Sequence, residues 1–145
     1  MILKFTEDKS CKEIEVTIKC AQIDDNVRQL AESIKRLDVS FKCKDENGYI
    51  QLSLNEIYYF ESVDEKTFVY VKDKVYECDY KLYELEYYCN STGLLRISKN
   101  TILNIYKIRS VKAALNGRFS ARLINDETIM INRHYVSAFK KKFGI

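Results

Sequence analysis

Short runs in which apolar and polar residues alternate recur through most of this 145-residue chain, each cut off by a polar turn. In Arg118 to Ile124, Phe119, Ala121 and Leu123 point one way, while Arg118, Ser120 and Arg122 point the other. A period of two suits a β-strand with one buried face, because successive side chains leave a strand on opposite sides. Comparable strands are expected over Tyr49 to Leu54, Ile57 to Glu61, Thr67 to Val71, Lys74 to Cys78 and Thr128 to Ile131. Leu95 to Asn104 divides into two such runs around a polar tip, Ser98-Lys99-Asn100. Lys72-Asp73 and Asn116-Gly117 read as tight hairpin turns, and Ser62 to Lys66 as a longer exposed loop. Strands joined by such short connections run antiparallel, since a parallel crossover needs a dozen or more residues. Ile105 to Leu115 gives mixed strand signals.

The period changes to that of a helix in three places. Val27, Leu30, Ala31, Ile34 and Leu37 share a face in Ile23 to Leu37, with Asp24 or Asp25 placed to cap it. Asp79 to Cys89 carries the stripe Leu82, Leu85, Cys89, with Asp79 as cap and Gly93 as the stop beyond it. Tyr135 to Phe143 sets Val136, Phe139 and Phe143 beside Lys140-Lys141-Lys142. Residues 1–20 read as two strands and a turn, with Ile14, Val16 and Ile18 alternating with polar neighbours. The expected fold class is therefore α+β, mostly antiparallel β, with an N-terminal β-β-α annex. The charged stretch Phe41 to Gly48 reads as loop. It divides an annex, 1–45, from a main domain, 46–145. The annex is expected to pair subunits or receive a signal.

Several function classes are excluded by what the residues lack. The five cysteines are odd in number with no CxxC pair, and His134 is the only histidine. A disulfide framework, a metal site and any cofactor are not expected. No Gly-x-Ser-x-Gly elbow or phosphate-binding glycine loop is present, so neither an enzyme nor a small-molecule substrate is indicated. No apolar run reaches the ~18 residues of a membrane span. The start of the chain turns acidic at Glu7-Asp8, too soon for a signal peptide. A reduced cytoplasm is the expected compartment.

Charge is unevenly divided. The net +3 conceals eleven Lys or Arg against two acids from Arg96 to Ile145. A cationic half suggests a surface for a polyanion. Three segments rich in hydrogen-bonding side chains fall at strand ends: Asp64 to Thr67, Ser98 to Asn100, and Asn132-Arg133-His134. Rigid strands hold such loops accurately.

The order of these motifs is telling. Ile57-Tyr58-Tyr59-Phe60-Glu61-Ser62 comes first, followed by Leu82-Tyr83-Glu84-Leu85-Glu86 and then Leu95-Arg96-Ile97-Ser98-Lys99-Asn100-Thr101-Ile102-Leu103-Asn104. A Gly117 hairpin and Ile131-Asn132-Arg133-His134-Tyr135-Val136 close the series. From about Tyr49 onward the chain resembles the LytTR DNA-binding domain, and as a whole it resembles the small stand-alone LytTR regulators without a receiver domain. The resemblance implies an elongated set of small antiparallel sheets with short helices, whose loops enter successive major grooves of double-stranded DNA. It implies that Lys99 contacts a base or phosphate, that Arg133 reaches bases, and that Thr67 or Lys66 makes another base contact. Ser98 and Asn100 would support the turn or touch phosphate, and Asn104 would be structural. His134 stands where a second arginine is common, and Asn132 where the closing motif has serine.

The function expected is a sequence-specific transcriptional regulator, working as a homodimer on two half-sites. Phosphorylation is not its expected control. A regulatory protein partner, a membrane protein among the candidates, is the expectation by analogy. The rival is a protein-interaction module that keeps the fold without specific DNA binding; a single-strand or RNA binder is weaker still.

Overall fold

The computed structural model describes the backbone of residues 1–145 and every side chain except those of Asn90 and Ser91. Ten strands form two antiparallel sheets. The larger contains β1 (Ser40–Asp45), β2 (Gly48–Ser53), β3 (Tyr59–Val63), β4 (Lys66–Tyr70), β5 (Val75–Cys78), β6 (Leu94–Ser98) and β7 (Thr101–Asn104). Their order across the sheet is β2-β1-β5-β4-β3-β7-β6. The smaller sheet has β8 (Ile108–Ala113), β9 (Phe119–Leu123) and β10 (Thr128–Ile131), with β9 in the middle. Four helices accompany them: α1 (Asp25–Arg36), α2 (Leu82–Glu86), α3 (Cys89–Thr92) and α4 (Val136–Phe143).

From β2 onward alternation became strand where it was expected, but the β3–β4 turn and the stretch Asp79 to Cys89 differ. Ser62 to Lys66 is a tight hairpin, with Val63 paired to Lys66 and only Asp64 and Glu65 turning the chain. Both turn residues have positive φ, 49° and 65°. That pair of conformations twists in the same sense as the strands, which is why it closes two-residue hairpins. Asp79 does not cap a helix; it pairs with Lys44 at 2.6 Å. Instead α2 starts at Leu82, where the Glu84 carboxylate accepts from the Lys81 N–H at 3.3 Å. Helical pairing breaks before Cys89, giving two short helices in place of one. Gly93 then ends α3 at φ 77°; a Cβ there would lie 2.2 Å from the Tyr106 ring.

The annex differs more. Residues 1–24 form neither helix nor strand; a single turn at Lys9-Ser10 interrupts them. The two expected strands are absent because a lone hairpin in water is marginal, and of its apolar residues only Ile18 is half-buried. The third annex element, α1, does form, capped by the Asp24 carboxylate accepting from the Val27 N–H at 3.0 Å. Its C-terminal end is held by Arg36, buried with its guanidinium 3.6 Å over the Tyr106 ring. Phe41 to Gly48, read as loop, is strand β1 and a hairpin turn. Phe41 and Cys43 point into the core, and Cys43 pairs with Cys78 of β5. Strand β1 therefore belongs to the large sheet.

Two cores result. Phe41, Leu54, Ile57, Phe60, Val69, Leu85 and Ile102 pack over one face of the large sheet. Ile97, Leu103, Leu123, Ile131 and Phe139 fill the space between β6–β7, the small sheet and α4. Strand β7 is buried along its whole length, with Ile102 in one core and Leu103 in the other. It fixes the small sheet to the large one.

Candidate nucleic-acid interface

Antiparallel register carries the three polar segments to one end of the structure. The β3–β4 turn lies beside the β6–β7 turn because β3 and β7 are neighbours, with Glu61 opposite Thr101. The Ser62 N–H donates to the Asn100 carbonyl at 2.8 Å and ties the two turns together. Their hairpins are two strand spacings apart, about 10 Å. The third segment joins through β6: the Asn132 N–H donates to the Ile97 carbonyl at 2.9 Å. Asn132 then starts a 3-10 turn, Arg133–Tyr135, by accepting from the His134 N–H at 3.2 Å. That turn runs into α4, and the apolar side of α4 is pinned by Phe139.

The Ser98–Asn100 tip is braced from beneath. A bulge at Ile97 lets Ser98 pair with Thr101, so only Lys99 and Asn100 turn the chain. The Arg96 guanidinium donates to the Ser98 carbonyl at 2.9 Å, and also to the Lys99 carbonyl and the Glu86 carboxylate. Two turn carbonyls are thereby satisfied from inside, leaving the Lys99 ammonium outside. Ser98 accepts from the Asn100 N–H at 3.2 Å. Arg96 was not singled out in the sequence, where it reads as an outward residue of a strand; its partner Glu86 lies on a separate helix.

The expected contact residues are not equally placed. Lys66, Lys99, Asn100, Arg133 and His134 are exposed, and Ser98 is half-buried. Thr67 is 3% exposed. It shares a face of β4 with buried Val69 and lies between Ser62 and Cys78 of the flanking strands. Its side chain does not reach the surface, so the outward cation of this hairpin is Lys66. Lys81 supports the same hairpin, its ammonium donating to the Glu65 carbonyl at 3.0 Å. Asn116 and Arg118, from the β8–β9 turn, line an open cleft with Asn132, Arg133 and His134. Gly117 sits close behind, where a Cβ would lie 3.5 Å from that of Arg133. Asn116 and Arg118 were read as turn and strand residues; their proximity to Arg133 comes from the small sheet, where Ile131 pairs with Phe119.

The basic half is not uniformly available. Arg109 and Arg122 both bind Asp126, at 2.8 Å and 3.1 Å. Lys142 turns inward, donating to the Leu94 carbonyl at 3.0 Å and to that of Cys89. Burial holds its ammonium below the ordinary lysine range. Lys99, Arg133, Lys140 and Lys141 are exposed and form no ion pair among the described residues. Beside these cations stands an acidic notch: Glu61, Asp64 and Glu65 share a surface recess with Ser98 and Asn100. Glu61 accepts from the Tyr70 hydroxyl at 3.3 Å, and burial, with Glu61 beside it, raises the Tyr70 phenol above its ordinary value. No group of His, Cys, Asp and Glu suited to a metal ion occurs among the described residues, and no helix is long and apolar enough to cross a membrane.

A β-scaffold that sets polar and cationic turns along one edge is the plan of a binding domain that works through loops. The family model of the LytTr DNA-binding domain matches residues 47–144, and the chain belongs to that family. A sensory transduction protein LytT of Enterococcus faecalis is 29% identical over 97 residues, which is 66% of this chain and 40% of that protein. An uncharacterized HTH-type transcriptional regulator of Staphylococcus aureus is 23% identical over 135 residues, 90% of this chain and 89% of that one. Among solved structures, the LytTr DNA-binding domain of a Bacillus cereus protein described as a methyl-accepting/DNA response regulator superposes with a TM-score of 0.68. It is 24% identical and covers 73% of this chain and 97% of its own. The fold is thus that of a LytTr domain.

Proposed function

We propose that this chain is a sequence-specific, double-stranded DNA-binding transcription regulator of the bacterial cytoplasm. The carrying observation is the shared edge: Lys66, Lys99 and Arg133 project from three turns tied to one another by backbone hydrogen bonds. The turns enter successive major grooves. Lys66 and Lys99 meet phosphates and base edges, and Ser98 and Asn100 hold the second turn against the backbone. Arg133 reads a guanine, because its planar fork matches O6 and N7 together. His134 and Asn132 flank it and set the neighbouring preference. Thr67 serves from inside the sheet, fixing the strand from which Lys66 projects. The regulator acts as a homodimer on two half-sites, since one small module reads few bases. A protein partner controls it, a membrane protein being one form such a partner takes. The LytT and HTH-type regulator names of its relatives support the regulatory reading.

The test is a competitive fluorescence-anisotropy titration at several salt concentrations, using a duplex from the gene's own upstream region against a scrambled duplex. Preference by about 10³ or more, with a steep log–log salt slope, is expected. Weak and equal binding to these and to genome-selected duplexes would assign the edge to a protein partner, the role in which its acidic residues Asp64 and Glu65 fit better.

A further inference from the structure

The β8–β9 turn ends at the same edge as the three polar turns, because Phe119 pairs with both Ile131 and Ala113. With β10 nearest β6, it stands outermost, beyond the turn that carries Arg133. Asn116 sits there at φ 62°, a conformation asparagine accepts more readily than most residues. The Arg118 Nε donates to the Leu115 carbonyl at 3.2 Å. One side of that guanidinium is thus held within its own turn. Its two amino groups have no hydrogen bond or ion pair among the described residues. Arg118 is half-buried, so the fork is held in place without being used.

The cleft in front of it is lined by Asn116, Arg118, Asn132, Arg133 and His134, and by no carboxylate. The small sheet treats its other arginines differently. At its opposite end Asp126 binds both Arg109 and Arg122. Arg118 and Arg133 share a cleft with no acid between them, and like charges held together repel. The anion that offsets them comes from outside the chain. A phosphate fits, since a guanidinium donates to two of its oxygens at once. Spacing points to a phosphate of DNA. Strands β8 and β10 flank β9, which puts the turn within about 10 Å of the end of β10, where the Arg133 turn begins. The major groove is about 12 Å wide, so a turn at that distance from an arginine on a base edge meets the groove's rim.

We propose that the β8–β9 turn is a fourth DNA-contacting segment, in which the free side of the Arg118 guanidinium, with the Asn116 amide beside it, grips a backbone phosphate at the rim of the groove that Arg133 enters. Such a contact carries no sequence information; it fixes the register in which Arg133 meets its base. The proposal rests on the DNA-binding reading above, but not on sequence preference.

Anisotropy titrations over a range of salt, on an arbitrary duplex, test it. Arg118→Gln should weaken binding about tenfold at fixed salt and lower the log–log slope by about one. Arg118→Lys keeps the charge and should keep the slope, while losing part of the affinity because an ammonium lacks the fork. Asn116→Asp sets a carboxylate in the cleft and should weaken binding more than Asn116→Gly; both residues accept the turn's positive φ. Lys74→Gln removes an exposed charge from the β4–β5 turn, at the far end of the large sheet, and should change neither affinity nor slope. Circular dichroism should show every variant folded. On a duplex selected from a random pool, Arg118→Gln should keep the base preference of the unaltered chain. An unchanged slope for Arg118→Gln, an equal fall for Lys74→Gln, an Asn116→Asp variant that binds as well as Asn116→Gly, or an altered base preference would overturn the proposal. If the unaltered chain selects no sequence, sequence-specific reading fails and the slope still decides this inference. No binding to any duplex would overturn both.

Discussion

Asn132 donates its backbone N–H to the Ile97 carbonyl at 2.9 Å, one residue before each of the two polar segments they introduce. This one bond sets Ser98-Lys99-Asn100 and Arg133-His134 side by side, although they lie more than thirty residues apart in the chain.

Arg133 and Lys99 should fail differently. Arg133→Ala should cost on the order of 1–3 kcal/mol in binding and relax the preference at one base pair. Lys99→Ala should weaken all duplexes alike if it meets phosphate, lowering the salt slope by about one. Anisotropy titrations on single-base-substituted duplexes separate the two. Uniform loss on all sequences for Arg133→Ala would remove it from base reading.

The three consecutive lysines of α4 should not behave alike. Lys140→Gln and Lys141→Gln should flatten the salt slope and leave thermal stability unchanged. Lys142→Met removes a donor from the Leu94 and Cys89 carbonyls and should lower stability by about 1–3 kcal/mol. Urea denaturation of the three variants decides this, and equal stability would show that Lys142 is a surface residue.

Asn104 is 2% exposed and closes three backbone groups at once. Its amide donates to the Leu54 and Ile57 carbonyls at 3.3 Å and 2.9 Å, and its oxygen accepts from the Tyr106 N–H at 3.2 Å. Asn104→Ala should cost roughly 2–4 kcal/mol of folding stability, because buried polar groups are left unpaired. DNA affinity per folded molecule, measured well below the midpoint of unfolding, should stay within about twofold.

Cys43 and Cys78 face each other across β1 and β5, both buried. Burial pushes the Cys43 thiol up to about 12 and the Cys78 thiol to about 11, while an unfolded thiol ionises near ~8.5. The folded state therefore holds these protons more tightly than the unfolded state. Their contribution is complete below about pH 8.5 and declines as pH rises toward the folded values. Urea midpoints should fall between about pH 8 and pH 9, below the pH of about 10 at which tyrosines ionise. In a Cys43→Ala/Cys78→Ala variant, less stable at neutral pH, that fall should be smaller. An identical fall in both proteins would assign it to other groups.

The strands from β2 onward, the start of α1 and the docked face of α4 were legible because they are local, whereas the alternation within residues 1–20 formed no strand. Alternation reports one buried face, Asp24 before the stripe of α1 reports a cap, and Phe139 and Phe143 report a docked helix. The β6–β7 tip was legible for the same reason. The β3–β4 connection was misread as a loop because its turn uses Asp64 and Glu65 at positive φ, with no glycine or asparagine to mark it. Strand β1 was missed because its lysines and aspartate dominate the composition, while only Phe41 and Cys43 carry its buried face.

From the sequence alone came the antiparallel class of the fold, the polar turns and the surplus of cations in the second half, since each is written in neighbouring residues. Which contact candidates stay free was decided only in three dimensions. Thr67 went into the sheet, Lys142 into a nest of carbonyls, and Arg96 beneath the turn it supports. Register and strand order bring together groups far apart in the chain, and a buried hydrogen bond or pairing depends on that meeting.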